Sequence, residues 1–467
     1  MILRAALFVG LAGLFLILSN NRIWSGPYYY DEADYIFAAR MGFWANYTDS
    51  PTLPIGDFIR TGLDRKKSAL SETIRNSNDM VFYRHWHGPM QVFYLSLISG
   101  ASGNERLTRL LCMVFPLFCL AVIFFGCLWL TPGREGLLQA LLASGLYLYS
   151  GPAAAATELA PHQLFAAFTA LSLILLAKSI STGRMAWFVA SASAAGLAFD
   201  TMEVAFVLVA VLLAVLIIEK KWWLWQGMAS FLLTVFIVWP AGILKLSFVK
   251  AYFFMAYLAV FRKGAWGNKP PLQIWAQRIA ESPVEWFLVA LAVIVYFATG
   301  MYRSKRWVYA FLLFAVLMIG ATLRVNSESP RYMLPFLPAV DLFAGCVLAS
   351  WLAKRPPLLA YSAVALTAMA SFALTWPRLK SQPLESDPRP AAVLEFIRAQ
   401  HLDGRTLLVP QEDVPMIHCY FPSTHLRGYT GATPTPEELS LGPTDWTLMR
   451  QKLPHGRGSE PRSEPRP

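Results

Sequence analysis

Asp31 and Glu32 stand side by side in Tyr28-Tyr29-Tyr30-Asp31-Glu32-Ala33-Asp34-Tyr35, just past the first long apolar stretch of the chain. A positioned carboxylate can take a proton from a hydroxyl, while its neighbour orients a substrate or binds a cation. If Asp31 opens a helix, as Gly26-Pro27 upstream indicates, Glu32 points about 100° away around the axis. The two acids then cannot address one atom in the same way. Asp34 and Tyr35 share the Asp31 face at i+3 and i+4. The plainer alternative is a helix start whose acids complement the helix dipole.

Further along the same loop, His85 and His87 flank Trp86 and precede Gly88-Pro89. Histidines at i, i+2 share a face only in an extended segment. With Glu32 they make an incomplete metal-ligand set, so hydrogen bonding to a substrate or lipid phosphate is the better assignment. Glu158 and His162 lie one helical turn apart where one apolar run hands over to the next, a costly position for titratable groups without partners. Asp200 and Glu203 read as polar turn residues. Arg324 and Arg331-Tyr332 precede another apolar run, and a guanidinium can hold a phosphate through two parallel hydrogen bonds. Lys250, Arg262, Lys263 and Lys269 are weaker candidates for that task. Asp341 falls inside an apolar run and reads as structural, protonated or paired in a bundle interior.

The elements that must position these groups are membrane spans. The chain has 467 residues, 56% hydrophobic and 15% charged, with a mean hydropathy of +0.44. Soluble domains carry about 25% charged residues. The apolar residues fall in about eleven runs of a length that crosses a hydrocarbon core. They lie near 2–19, 107–130, 137–154, 161–178, 185–199, 203–219, 225–244, 284–301, 307–323, 332–353 and 357–376. The stretches at 89–99 and 251–261 are too short to span and read as interfacial helices. The first run is kept as a span, since it lacks a small-residue cleavage site.

With the N-terminus cytoplasmic, the short inner turns carry Arg134, Lys178, Arg184, Lys220, Lys221, Arg303, Lys305, Arg306, Lys354 and Arg355. The short outer turns at 155–161 and 200–202 have no Lys or Arg. This is the positive-inside pattern, and it puts every candidate catalytic or binding residue on the outer face. The net charge of +11 therefore reports orientation and lipid headgroups, not nucleic acid. Five cysteines occur without a CxxC pair, so neither a zinc site nor a disulfide framework is expected.

Three parts follow from this reading. Residues 1–376 form the transmembrane module, including a long first outer loop at 20–106. Residues 377–453 form a small outer α/β domain, with a helix over 387–405 and a strand over 406–410. Residues 454–467, Pro-rich and polar, form a disordered tail. No internal repeat is visible, and Walker A, HExxH, GxSxG and dinucleotide fingerprints are absent.

Taken in order, Asp31-Glu32-Ala-Asp-Tyr after one span, His87-Gly88-Pro89 leading into Tyr94-Leu-Ser-Leu, Asn104-Glu105-Arg106-Leu-Thr-Arg109-Leu and Pro330-Arg331-Tyr332-Met-Leu-Pro-Phe-Leu-Pro form a pattern. It resembles the GT-C glycosyltransferases, in the branch with protein O-mannosyltransferases and lipid A aminoarabinose transferase. The resemblance covers about residues 1–375 and implies an all-α polytopic fold. It also implies a sugar donor on a polyprenyl phosphate and an acceptor hydroxyl attacked from the outer side. The catalytic first acid falls on Asp31, with Glu32 its supporting neighbour. The family's His-Pro-Pro is His87-Gly88-Pro89 here, and its second acidic site falls on Glu158 or His162. The Trp-Trp-Asp signature of oligosaccharyltransferases is absent.

The implied reaction needs no cofactor, since the lipid phosphate is already a usable leaving group; a divalent cation is compatible with it. Partners are the polyprenyl-phosphate sugar, a glycolipid, polysaccharide or protein acceptor, and membrane lipids, without nucleic acid. The expected location is a bacterial inner membrane, with site and C-terminal domain periplasmic. A multi-pass transporter is the competing class, but it favours repeated halves and broken helices near mid-membrane. A non-catalytic lipid-binding protein is the other.

Overall fold

The computed structural model describes residues 2–20, 23–29, 31–40, 42–44, 87–102, 104–149, 159–240, 270–323, 330–381, 388–410 and 413–429. Two compact units divide the chain. One comprises Met1–Ile23, Leu110–Pro240 and Phe253–Pro383; the other comprises Trp24–Arg109, Ala241–Tyr252 and Leu384–Pro467. His85, Glu158, Arg324, Lys250, Arg262, Lys263, Lys269 and the expected tail at 454–467 lie outside the described residues.

In chain order the helices are α1 (Ile2–Asn20), α2 (Asp31–Arg40), α3 (Met90–Ser102), α4 (Glu105–Cys112), α5 (Val114–Leu130), α6 (Gly133–Tyr149), α7 (His162–Thr182), α8 (Met185–Phe199), α9 (Phe206–Ile218) and α10 (Leu224–Val238). After them come α11 (Pro271–Glu281), α12 (Pro283–Ala298), the single turn α13 (Met301–Ser304), α14 (Tyr309–Thr322), α15 (Leu337–Leu352), α16 (Pro357–Ser381), α17 (Pro388–Ala399) and α18 (Val414–Tyr420). Short 3₁₀ turns occupy Glu203–Ala205, Arg306–Val308 and Pro330–Met333.

Each expected apolar run coincides with a described helix. By length and composition alone, however, four helices among the described residues can cross a membrane, or five if the pair α11–α12 counts as one span. The pair bends by 97° at Ser282-Pro283, where proline opens α12 and cannot continue the hydrogen bonding of α11. Five further apolar helices have 10–17 residues, and at 1.5 Å per residue the shorter ones fall below a core of about 30 Å.

In the first unit, α15 is buried along nearly its whole length, as expected of a helix that is apolar on every side. It packs on α6, α6 on α5, α5 on α7, α7 on α8 and α8 on α10. Small residues let these helices approach: a Cβ on Gly345 of α15 would stand 2.6 Å from the Ala143 side chain of α6. Ser172 of α7 donates to the Ser191 carbonyl of α8 at 3.0 Å, and Ser191 donates back to the Ser172 carbonyl at 2.7 Å. The basic turns gather at one end of this unit. There Lys305 pairs with Glu135, Ser350 donates to the same carboxylate at 2.5 Å, and Arg306 meets Glu219 at 3.3 Å.

In the second unit, α2 packs against α3 and α18. The expected helix and strand after residue 387 are present as α17 and β1 (Thr406–Pro410), the helix ending earlier than 405. β1 pairs in parallel with β2 (His425–Tyr429), Thr406 opposite His425 and Pro410 opposite Tyr429. α18 is the crossover between the two strands.

Candidate functional site

The irregular segment before α2 has backbone groups that no helix satisfies, and side chains from elsewhere in its unit supply the partners. Arg109, on α4, is 1% exposed. Its guanidinium donates to the carbonyls of Trp24 at 2.9 Å, Gly26 at 2.9 Å and Pro27 at 3.3 Å. It also donates to both Glu32 oxygens, through Nη2 at 2.5 Å and Nε at 3.2 Å. Its planar group lies 4.8 Å from the Trp24 ring centroid and 5.2 Å from that of Tyr28. Five directed N–H groups on a rigid fork make this possible, and lysine could not copy it.

Glu32 is thus committed to a positioning ion pair. Asp31, half-buried at the first position of α2, is set about 100° from it around the helix axis. Tyr35, one turn on, shares its face, and the Tyr35 ring lies 6.4 Å from that of His87. Helix spacing therefore puts position 31 on the face of Tyr35, whose ring neighbours His87, and position 32 on another face.

The far end of the chain also reaches α2. The Tyr28 backbone N–H donates to the Tyr420 hydroxyl at 2.9 Å, and that hydroxyl donates to Glu105 at 2.7 Å. The two tyrosine rings stack with centroids 6.2 Å apart. Arg40, ending α2, donates to the Cys419 carbonyl at 2.5 Å, and the Phe37 and His418 rings lie 4.1 Å apart. Burial pushes the Tyr28 phenol up to about 12, and burial followed by the Glu105 carboxylate pushes Tyr420 up as well. Both phenols stay protonated through the physiological range.

The first unit carries a second cluster. His162, buried at the start of α7, meets the Tyr332 ring edge-on at 5.3 Å. Arg331 lies over Tyr332, 5.3 Å from its centroid. Arg278 of α11, 3% exposed, lies over Trp275 at 5.1 Å, and Trp275 stacks on Phe336 at 5.8 Å. Burial lowers the Arg278 pKa, while Glu281 and Tyr332 act to raise it, so this cation neighbours the same tyrosine. A guanidinium held among aromatic rings suits a phosphate bound at an apolar edge.

Three functional candidates were given no role from sequence. Arg109 sits at the head of an apolar run, where an unexplained arginine is itself a signal. Arg278 follows a Trp-rich stretch with no motif around it, and Tyr420 has no local signal at all. Asp200 and Glu203 are buried and are not solvated turn residues. Asp341 is fully buried on α15. Among the described residues no group of three or more His, Cys, Asp and Glu could hold a metal ion. None of the five cysteines is in a disulfide.

Residues 87–242 match the sequence family described as dolichyl-phosphate-mannose-protein mannosyltransferase. No curated protein sequence matches the chain. Among solved structures, ArnT from Cupriavidus metallidurans bound to undecaprenyl phosphate superposes with a TM-score of 0.60 at 14% identity, covering 95% of this chain and 88% of that one. The apo form of the same protein gives 0.57 at 14% identity, over 96% and 88%. The archaeal oligosaccharyltransferase AglB from Archaeoglobus fulgidus, in complex with an inhibitory peptide and a dolichol phosphate, gives 0.55 at 11% identity, over 93% and 64%. The chain has the GT-C glycosyltransferase fold.

Proposed function

We propose that this chain is a membrane glycosyltransferase that moves a sugar from a polyprenyl-phosphate donor to an acceptor hydroxyl on the outer face, with Asp31 as general base. The observation that carries the assignment is the Arg109 clamp. It fixes Glu32 and the segment before α2, and by helix spacing position 31 shares the face of Tyr35, whose ring neighbours His87. The fold and the family match over residues 87–242 support the same reaction class.

In this mechanism the acceptor oxygen attacks the anomeric carbon while the C1–oxygen bond to the lipid phosphate breaks. Asp31 takes the acceptor proton, a contribution of about 10²–10⁴-fold. The electron pair leaves with the phosphate, whose growing charge a guanidinium can offset. A single displacement inverts the anomeric centre. No step calls for a metal. The Lys and Arg of alternate short turns support an inner-membrane protein with a cytoplasmic N-terminus whose reaction occurs on the periplasmic side. The acceptor hydroxyl belongs to a glycolipid, polysaccharide or protein.

The test is donor turnover by the purified full chain in proteoliposomes, with a panel of labelled polyprenyl-phosphate sugars and envelope extract as acceptor. Release of polyprenyl phosphate with label appearing on acceptor is expected. Solute flux without donor consumption would identify a transporter, and donor binding without turnover a scaffold.

A further inference from the structure

The segment that ends in Asp31 is gripped from two sides by side chains far away in sequence. Arg109 holds the carbonyls at 24, 26 and 27 and the Glu32 carboxylate. The backbone N–H of Tyr28, three residues before Asp31, has a different holder, the hydroxyl of Tyr420. That hydroxyl is fixed in turn, because its own proton goes to Glu105 at 2.7 Å. A phenol that accepts from a backbone amide and donates to a carboxylate has its rotor determined by both bonds.

The element delivering Tyr420 is a small α/β fold with its own core. Val393, Leu394 and Ile397 of α17, Leu407 and Val409 of β1, and Leu426 of β2 are buried. Within α18, Met416 and Ile417 are also buried, while His418, Cys419 and Tyr420 make the contacts to the α2 region. At the other end of α2, Arg40 donates to the Cys419 carbonyl. So α18 holds both ends of the helix whose first residue is Asp31.

We infer that Tyr420 is a positioning residue for Asp31: through the Tyr28 amide it sets where α2 begins, and so where the carboxylate of its first residue stands. This rests on the reading of Asp31 as the base. A displacement of about 1 Å at a reacting group can cost about 10²-fold in rate, so a hydroxyl that touches no substrate can still govern turnover. The Tyr420 hydroxyl at the end of α18 then supports the segment that carries Asp31, although it lies outside the stretch that matches the mannosyltransferase family.

The experiment compares Tyr420→Phe, Glu105→Gln, Ser423→Ala and Asp31→Asn in the full-length protein in proteoliposomes. Three quantities are read: kcat and donor KM with whichever labelled polyprenyl-phosphate sugar the wild type turns over, carbodiimide modification of Asp31 followed by mass spectrometry, and hydrogen exchange of the peptide over 24–40. Tyr420→Phe keeps the ring stack and removes only the hydroxyl. It should lower kcat roughly 10- to 100-fold, leave donor KM within about twofold, change the Asp31 modification rate several-fold and speed exchange over 24–40. Glu105→Gln retains an acceptor for the Tyr420 proton and should lower kcat less than Tyr420→Phe does. Ser423→Ala removes a 2.5 Å bond to Asp403 within the same α/β element, and should leave kcat and Asp31 modification unchanged. Wild-type kcat, Asp31 modification and exchange in Tyr420→Phe would overturn the inference, as would an equal loss in Ser423→Ala. An active Asp31→Asn would refute the base assignment instead. The Tyr420→Phe effect on kcat should then vanish, and its effect on Asp31 modification and exchange would still decide whether Tyr420 seats α2.

Discussion

Glu32 and Glu135 are both carboxylates paired with a cation, and they serve opposite purposes. The Glu32 pair is the drier, with Arg109 buried at 1% and Glu32 half-buried at 14% side-chain exposure. It organises irregular backbone that has no hydrogen-bond pattern of its own. The Glu135 pair is wetter, with Lys305 at 25% and Glu135 at 27%, and it joins the ends of helices that are already complete. Gln139 and Ser350 share the load there, donating to the same carboxylate oxygen at 3.1 Å and 2.5 Å. A buried pair that holds a loop is costly to break from one side. A half-exposed pair among redundant partners is cheap to lose.

Arg109→Ala should show the largest effect. It leaves the half-buried Glu32 without its cation and three carbonyls without their donor, a loss of about 3 kcal/mol that a thermal unfolding series in detergent would register along with lost transfer. If its melting temperature matched that of the wild type, the clamp would be decorative. Glu32→Gln sharpens the same contrast, because it keeps an acceptor for Arg109 and removes only the charge. It should cost about 1–3 kcal/mol and retain measurable transfer; complete inactivity with intact stability would put Glu32 in the chemistry. Lys305→Met at the other pair should cost under about 1 kcal/mol, and a larger loss would erase the distinction between the two regions.

The smallest effect expected between pH 6 and 9 is from the tyrosine contacts. Tyr28, with its phenol raised to about 12, has an unfolded value of about 10. Its contribution is fully present below the unfolded value and fades as pH rises through the folded one. Stability measured against pH should therefore show no loss from this source until above about pH 10, and an earlier alkaline loss would contradict the packing at Tyr28.

Much of this architecture was legible because hydropathy and helix starts are local properties. The apolar runs, the helix opening at Asp31, the helix after Pro89 and the strand at 406–410 each follow from residues within a few positions of one another. The 97° break at Ser282-Pro283 was marked by its proline but was read as the edge of a span. Arg109 was absorbed into a run scored as lipid-crossing, since its aromatic and carbonyl partners lie in a different stretch of chain. Tyr420 was invisible because its meaning depends on an amide 392 residues away. Periodicity carries no information about such a pairing. Nor could spacing say which acid of the pair is held, because that depends on which side of α2 Arg109 approaches.

The most direct measurement is single-turnover sugar transfer by Asp31→Asn beside the wild type, with donor binding measured separately on the same protein. Transfer should fall by at least about 10²-fold while the donor still binds and the protein melts at the wild-type temperature. An Asp31→Asn protein that transfers sugar at the wild-type rate would show that the carboxylate beside the Arg109 clamp is not the base.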